Sequence, residues 1–123
     1  MLVTDAAVCA NVSVTRDVIC RMRDGVGLAS DIYAPRDAEH PLPVLLMRTP
    51  YGKRAAQAND VVSYAHPMWF ASHGYIVVVQ DVRGRYASEG VFQARGNEVE
   101  DGYDAVEWCG QLQGSNGAVG MYD

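Results

Sequence analysis

Tyr51 lies in Arg48-Thr49-Pro50-Tyr51-Gly52-Lys53, a polar run that directly follows the apolar run Val44-Leu45-Leu46-Met47. A phenol there could donate a hydrogen bond to an oxyanion held over the edge of a sheet. From position alone, packing its own loop is the commoner role for such a tyrosine. A second apolar run, Ile76-Val77-Val78-Val79, leads into Gln80-Asp81-Val82-Arg83-Gly84-Arg85. Asp81, Arg83 and Arg85 have two readings there. They are substrate-binding charges, or an internal ion pair and clamp that fixes the long loop from Gly84 to Gly96. The clamp is favoured, because so long a loop needs fastening and Asp-x-Arg can fasten to local backbone.

Other reactive residue types are present without the pattern their chemistry needs. None of the six serines sits in Gly-x-Ser-x-Gly. Ser88 comes closest, in Tyr86-Ala87-Ser88-Glu89-Gly90, but it lies in the long loop rather than on a strand-to-helix elbow. His40, His66 and His73 form no i, i+4 pair, and no Cys-x-x-Cys occurs, so no metal site is expected. Gly25-Val26-Gly27 resembles part of a dinucleotide fingerprint but precedes a strand instead of following one. No cofactor is expected. Trp69 and Trp108 read as core rather than as a ligand platform.

These loops need elements to hold them. Val14 to Ile19 and Leu28 to Tyr33 read as strands joined by a hairpin turn at Asp24-Gly25. Pro43 to Arg48 and strand 75–79 are continuous apolar runs of the kind buried on both faces. A short helix over 67–73 starts at Pro67, after His66, and ends before Gly74. A second helix spans about Glu98 to Leu112. Val99, Tyr103, Val106 and Cys109 recur along it at helical spacing and are expected to face the sheet. Acidic residues crowd its first turn, where the helix dipole favours them. Ala118 to Tyr122 is the last strand. Residues 52–65 are ambiguous. The order β-β-β-α-β-α-β with right-handed crossovers predicts an α/β fold: a mostly parallel sheet starting with an antiparallel hairpin. In such sheets ligands bind beyond the carboxyl ends of the strands, where the loops of Tyr51 and Asp81 begin.

Totals narrow the class further. The composition is 49% hydrophobic and 20% charged, that of a globular chain. The net charge is −5 and the ten Lys and Arg are scattered, so no nucleic-acid partner is expected. The longest strongly apolar runs are four residues, so no membrane partner is expected either. Cys9, Cys20 and Cys109 are odd in number and far apart, and the N-terminus lacks the features of a signal peptide. Both points predict reduced thiols and a cytoplasmic location.

Several motifs together resemble one family. They are Arg48-Thr49-Pro50-Tyr51-Gly52-Lys53, the run from His73-Gly74-Tyr75 to Glu89-Gly90, Glu100-Asp101-Gly102-Tyr103-Asp104-Ala105-Val106-Glu107-Trp108, and Ser115 to Tyr122. In this order and spacing they resemble the CocE/NonD hydrolases, kin of the X-Pro dipeptidyl-peptidases, over roughly residues 14–122. The resemblance implies the N-terminal part of an α/β-hydrolase catalytic domain over 14–123, with 1–13 as an extension. It implies a Ser-His-Asp triad lying beyond residue 123, since the family's elbow serine would fall two residues after Asp123. It also implies that Tyr51 supplies an oxyanion-hole hydroxyl, which reverses the reading from position alone. The chain departs from the family's pattern at Asp123, where a glycine is usual, and at Gln113-Gly114, where Pro-Trp is common. The expected substrate is a small-molecule ester or amide, and the expected partner, if any, is a second copy through the exposed sheet edge. The alternative is a non-catalytic truncated product or small binding module. On either reading the 123 residues alone are expected to be inactive.

Overall fold

The structure is a computed structural model, and it describes residues 11–53, 66–93 and 96–122. Cys9, most of the expected extension 1–13, most of the ambiguous segment 52–65 and Asp123 lie outside the described residues. The elements are β1 (Val12–Arg21), β2 (Gly27–Pro35), β3 (Leu42–Thr49), α1 (Pro67–Ser72), β4 (Ile76–Asp81), α2 (Glu98–Gly110) and β5 (Ser115–Met121). They form one five-stranded sheet in the order β1-β2-β4-β3-β5.

The sheet begins antiparallel and turns parallel. β1 pairs antiparallel with β2 across the turn at Asp24-Gly25, where Gly25 takes a positive φ of 88°. β2 pairs antiparallel with β4. β4 and β5 then flank β3, both parallel to it. The parallel strands are linked through α1 and α2, as crossovers between parallel strands require. Every residue of β4 is buried, as its unbroken apolar run predicts.

The helices cover opposite faces. Ala71 of α1 packs with Val12, Tyr33, Met47, Val77 and Val79. Ala105 and Cys109 of α2 pack with Leu42, Val44, Leu46, Ile76 and Val78. α1 starts as its sequence suggests. Pro67 occupies the first turn, His66 Nδ1 accepts from the Met68 N–H at 3.1 Å, and Gly74 leaves the helix with φ 94°.

The stripe expected on α2 is corrected. Val99 is 83% exposed and Tyr103 61%, while the buried positions are Asp101, Ala105 and Cys109. Pairing decides the rotation. Asp101 is drawn inward by the Arg83 guanidinium, and Asp104 holds Arg23, whose guanidinium lies 5.9 Å from the Tyr103 ring centroid. Only Val106 and Cys109 of the expected stripe remain against the core. β5 is mostly exposed, as an edge strand of the described sheet.

Burial makes both described thiols poor nucleophiles. It pushes Cys20 up to about 11 and Cys109 up to about 12. At the surface, hydrogen bonds from Arg23 hold the Asp104 carboxyl below its usual value, and Arg83 does the same for Asp24. A carboxylate with a lowered folded pKa lends stability that is full above its ordinary pKa and is lost as pH falls through the folded value. Asp104→Asn is therefore expected to flatten the decline in stability below about pH 4. Urea midpoints measured from pH 6 down to 2 check this. Parallel acid limbs in the two proteins would contradict it.

Candidate active site at the carboxyl edge of the sheet

β3 and β4 end side by side, with Thr49 in register with Asp81. Val82 N–H donates to the Thr49 carbonyl at 3.1 Å, so both following loops leave from one tied point. Tyr51 is the second residue of the β3 loop. Its N–H donates to Thr49 Oγ1 at 3.0 Å, and its side chain is 77% exposed. Gly52 follows with φ 97°, and the Tyr86 ring lies 3.2 Å from where a Cβ would stand. A side chain at Gly52 would be strained by the backbone and pressed by the ring. Tyr51 is thus presented outward by a turn that is fixed on both sides.

The fixing group on the inner side is Asp81. It is 1% exposed. Its Oδ1 accepts from the Lys53 N–H at 2.7 Å and its Oδ2 from the Ala87 N–H at 3.2 Å. One carboxylate therefore ties the Tyr51 loop to the loop after β4. The Lys53 ammonium sits behind it, 2.5 Å from Asp17, 3.5 Å from Asp31 and 3.8 Å from Asp81. Asp31, fully buried on β2, also takes Arg16 Nη1 at 2.8 Å and the Asp17 N–H at 3.0 Å. Asp17 reaches this cluster from an irregularity in the β1 pairing, where its φ is 54°. Burial pushes the Asp81 carboxyl up, although the Ala87 and Lys53 N–H groups and the ammonium draw it part of the way back. Burial alone would lower Lys53, but its carboxylate neighbours hold it above its ordinary value.

Arg83 and Arg85 fasten the long loop. Arg83 makes two 2.8 Å bonds to Asp101 on α2, and its remaining donors reach Asp24 in the hairpin turn. Both carboxylates raise its pKa. Arg85 stacks over the Phe92 ring at 4.0 Å. The clamp reading of Asp81, Arg83 and Arg85 fits these contacts. The arginine, however, reaches distant carboxylates rather than local backbone. Gly84 lets the loop close, since a Cβ there would lie 2.0 Å from the Phe92 nitrogen at φ 73°. Gly84→Ala is expected to cost about 2–4 kcal/mol. A urea midpoint equal to that of the unaltered chain would mean the loop is not packed in this way.

The described serines are engaged elsewhere. Ser88 Oγ donates to the Asp81 carbonyl at 2.5 Å and accepts from the Ala29 N–H. Ser30 accepts from Gln80, and Ser115 from the Gly117 N–H. Ser72 touches His73 Nδ1 at 3.0 Å, yet that nitrogen also lies 2.7 Å from the Trp69 carbonyl. Ser72 Oγ itself donates to that carbonyl at 2.7 Å, so its proton is already placed. This pair lies at the C-terminus of α1, just before β4 begins, and thus at the sheet's opposite edge. Among the described residues no cluster of His, Cys, Asp and Glu could hold a metal ion.

The reading of the sequence missed Lys53, Asp31, Asp17 and Asp101 as parts of this arrangement. Asp31 carried a signal, since a carboxylate inside an otherwise apolar strand must be paired when buried. Asp17 and Asp101 carried none, because they reach the site through a strand irregularity and a helix rotation.

The strand order, the two crossover helices and the loops gathered at the carboxyl edge define the N-terminal part of an α/β-hydrolase fold. Residues 24–122 match the family model described as X-Pro dipeptidyl-peptidase (S15 family), and the chain belongs to that family. It is 43% identical over 112 residues to the cocaine esterase of Rhodococcus sp. (strain MB1 Bresler), covering 91% of this chain and 19% of that protein. Among solved structures it resembles an α-amino acid ester hydrolase, with TM-score 0.74 and 31% identity over 98% of this chain and 22% of that one. It also resembles a CocE/NonD family hydrolase from Staphylococcus aureus, with TM-score 0.75 and 26% identity over 88% of this chain and 22% of that one. The chain spans about a fifth of the length of these relatives. No helix among the described residues is long and apolar enough to cross a membrane.

Proposed function

We propose that this chain forms the oxyanion side of a serine hydrolase that cleaves an ester or amide by acyl transfer. The observation that carries the proposal is the presentation of Tyr51. Its loop is bound to Thr49 and, through Lys53, to Asp81, at the edge where β5 also delivers the chain. The Tyr122 N–H donates to the Leu46 carbonyl, so β5 runs beside β3 to its end. A nucleophile following β5 would stand next to the Tyr51 loop.

In this reading a serine outside residues 1–123 attacks the carbonyl carbon. A histidine takes its proton and later returns it to the leaving group. Negative charge grows on the carbonyl oxygen, and the Tyr51 hydroxyl with a backbone N–H donates to it. A donor placed before reaction needs little reorganisation when the charge appears, and the turn at Gly52 fixes the backbone that carries Tyr51. The relatives' names, an esterase, an ester hydrolase and a dipeptidyl-peptidase, support acyl transfer from oxygen or nitrogen leaving groups.

A second reading, a non-catalytic binding role for these residues by themselves, is favoured by the engagement of the described serines in structural bonds. A chimera separates the two. The chain replaces the matching stretch of the Rhodococcus esterase, and hydrolysis is measured on an ester the parent cleaves. The hydrolase reading expects kcat within about tenfold of the parent, because the chain carries its own Tyr51 turn into the chimera. A folded chimera without turnover would favour the binding module.

A further inference from the structure

Tyr86 holds a conformation that its side chain resists. Its φ is 50°, in the left-handed region, and among the described residues Asp17 is the only other non-glycine there. A bulky side chain is uncommon in that region and costs free energy that glycine does not. The local turn asks for the backbone but not for the ring. Ser88 N–H donates to the Arg85 carbonyl at 3.0 Å, with Tyr86 in the first central position between them. Glycine would serve that turn better, so the ring needs another reason. Strain of this kind collects where function over-determines the backbone.

The neighbour of that ring is Gly52. A Cβ on Gly52 would stand 3.2 Å from Tyr86 Cε1, 3.2 Å from Cζ and 3.5 Å from Cδ1. Three adjacent ring carbons at nearly equal distance put that point over the face of the ring, not beside its edge. Asp81 sets the two residues in register. Its Oδ1 takes the N–H of Lys53, which follows Gly52, and its Oδ2 takes the N–H of Ala87, which follows Tyr86. The carboxylate thus ties both backbones from the buried side, and the ring closes over the turn from the exposed side. Tyr86 is 70% exposed, and Tyr51, Gly52 and Tyr86 border one cavity of about 370 Å³. We propose that Tyr86 is a positioning residue: its ring seats Gly52 and so fixes the direction in which the adjoining Tyr51 is presented. The catalytic meaning rests on the hydrolase reading. The ring performs this role, so the Tyr86 hydroxyl is dispensable.

Proton NMR of the full 123-residue chain reads the contact without turnover. A proton over an aromatic face is shielded, so the Gly52 Hα that points at Tyr86 should resonate upfield of its twin. The separation should persist in Tyr86→Phe and collapse in Tyr86→Gly. In the esterase chimera, Tyr86→Gly should lower kcat by about 10–10² at nearly constant KM, while Tyr86→Phe stays within a few-fold. That loss should vanish when Tyr51 is already phenylalanine, because no hydroxyl is left to aim. The urea midpoint of Tyr86→Gly should not fall, since the exposed ring buries little and glycine relieves the positive φ. Gly52 protons of equal shift in the unaltered chain would overturn the proposal. So would a change in KM alone, the mark of a substrate wall, or a lowered midpoint with unchanged kcat, the mark of a structural clamp. An equal kcat loss with and without the Tyr51 hydroxyl would overturn it too. A chimera without turnover counts against the hydrolase reading instead, and the Gly52 shift then decides the positioning by itself.

Discussion

Asp81→Ala is expected to destabilise the chain by about 3–5 kcal/mol, the usual cost of removing one partner from a buried charge pair. The carboxylate is 1% exposed and answers two backbone donors, the N–H groups of Lys53 and Ala87, besides facing the Lys53 ammonium. An alanine leaves both N–H groups buried without acceptors and removes one of the three carboxylates around Lys53. Native folds hold roughly 5–15 kcal/mol in all, so a loss of this size leaves part of the population unfolded at rest. Asp81→Asn keeps an acceptor for the Lys53 N–H and should lose less. Its pH dependence should differ as well. Burial raises the folded pKa of Asp81, so ionising it costs stability. The stability this group lends is full below its ordinary pKa and declines as pH rises through the raised folded value. In Asp81→Asn that decline should vanish. Urea unfolding followed by Trp69 and Trp108 fluorescence measures both effects. An Asp81→Ala midpoint close to that of the unaltered chain would mean that the two loops are not held through this carboxylate.

The fold was legible because local signals agreed with one another. The hairpin turn at Asp24-Gly25, the unbroken apolar runs of β3 and β4, and Pro67 and Gly74 around α1 each name one structure and match the observed elements. The α2 face was not legible. Hydrophobicity pointed to Val99 and Tyr103, whereas the buried ion pair of Arg83 and Asp101 set the rotation. Such a pair joins residues from different elements, so no periodicity within the helix can announce it. The same holds for the candidate site. Tyr51 could be singled out because its strand, proline and glycine are contiguous. The Lys53, Asp31, Asp17 and Asp81 cluster gathers β1, β2, β4 and the loop after β3, and appears only once the strand order is known. Arg48 was visible as a residue, but its bond to Gln80, which in turn holds Ser30, belongs to a row across three strands.

Tyr51→Phe bears on the oxyanion role itself. Phenylalanine keeps the ring and removes only the hydroxyl. The side chain is 77% exposed, so the change should leave the fold's stability unaltered. If the hydroxyl donates to the oxyanion, it acts on charge that exists in the transition state and scarcely at all in the bound ester. The loss then falls on kcat, by about 10²–10³, with KM changing far less. If the ring merely packs the loop, phenylalanine fills the same space and kcat stays within a few-fold. The most direct measurement is therefore kcat and KM for the esterase chimera and its Tyr51→Phe variant, on one ester and at one pH. A fall in kcat of about two to three orders of magnitude at nearly constant KM is the expected result. A near-unchanged kcat in the folded variant would remove Tyr51 from the oxyanion hole and contradict the account.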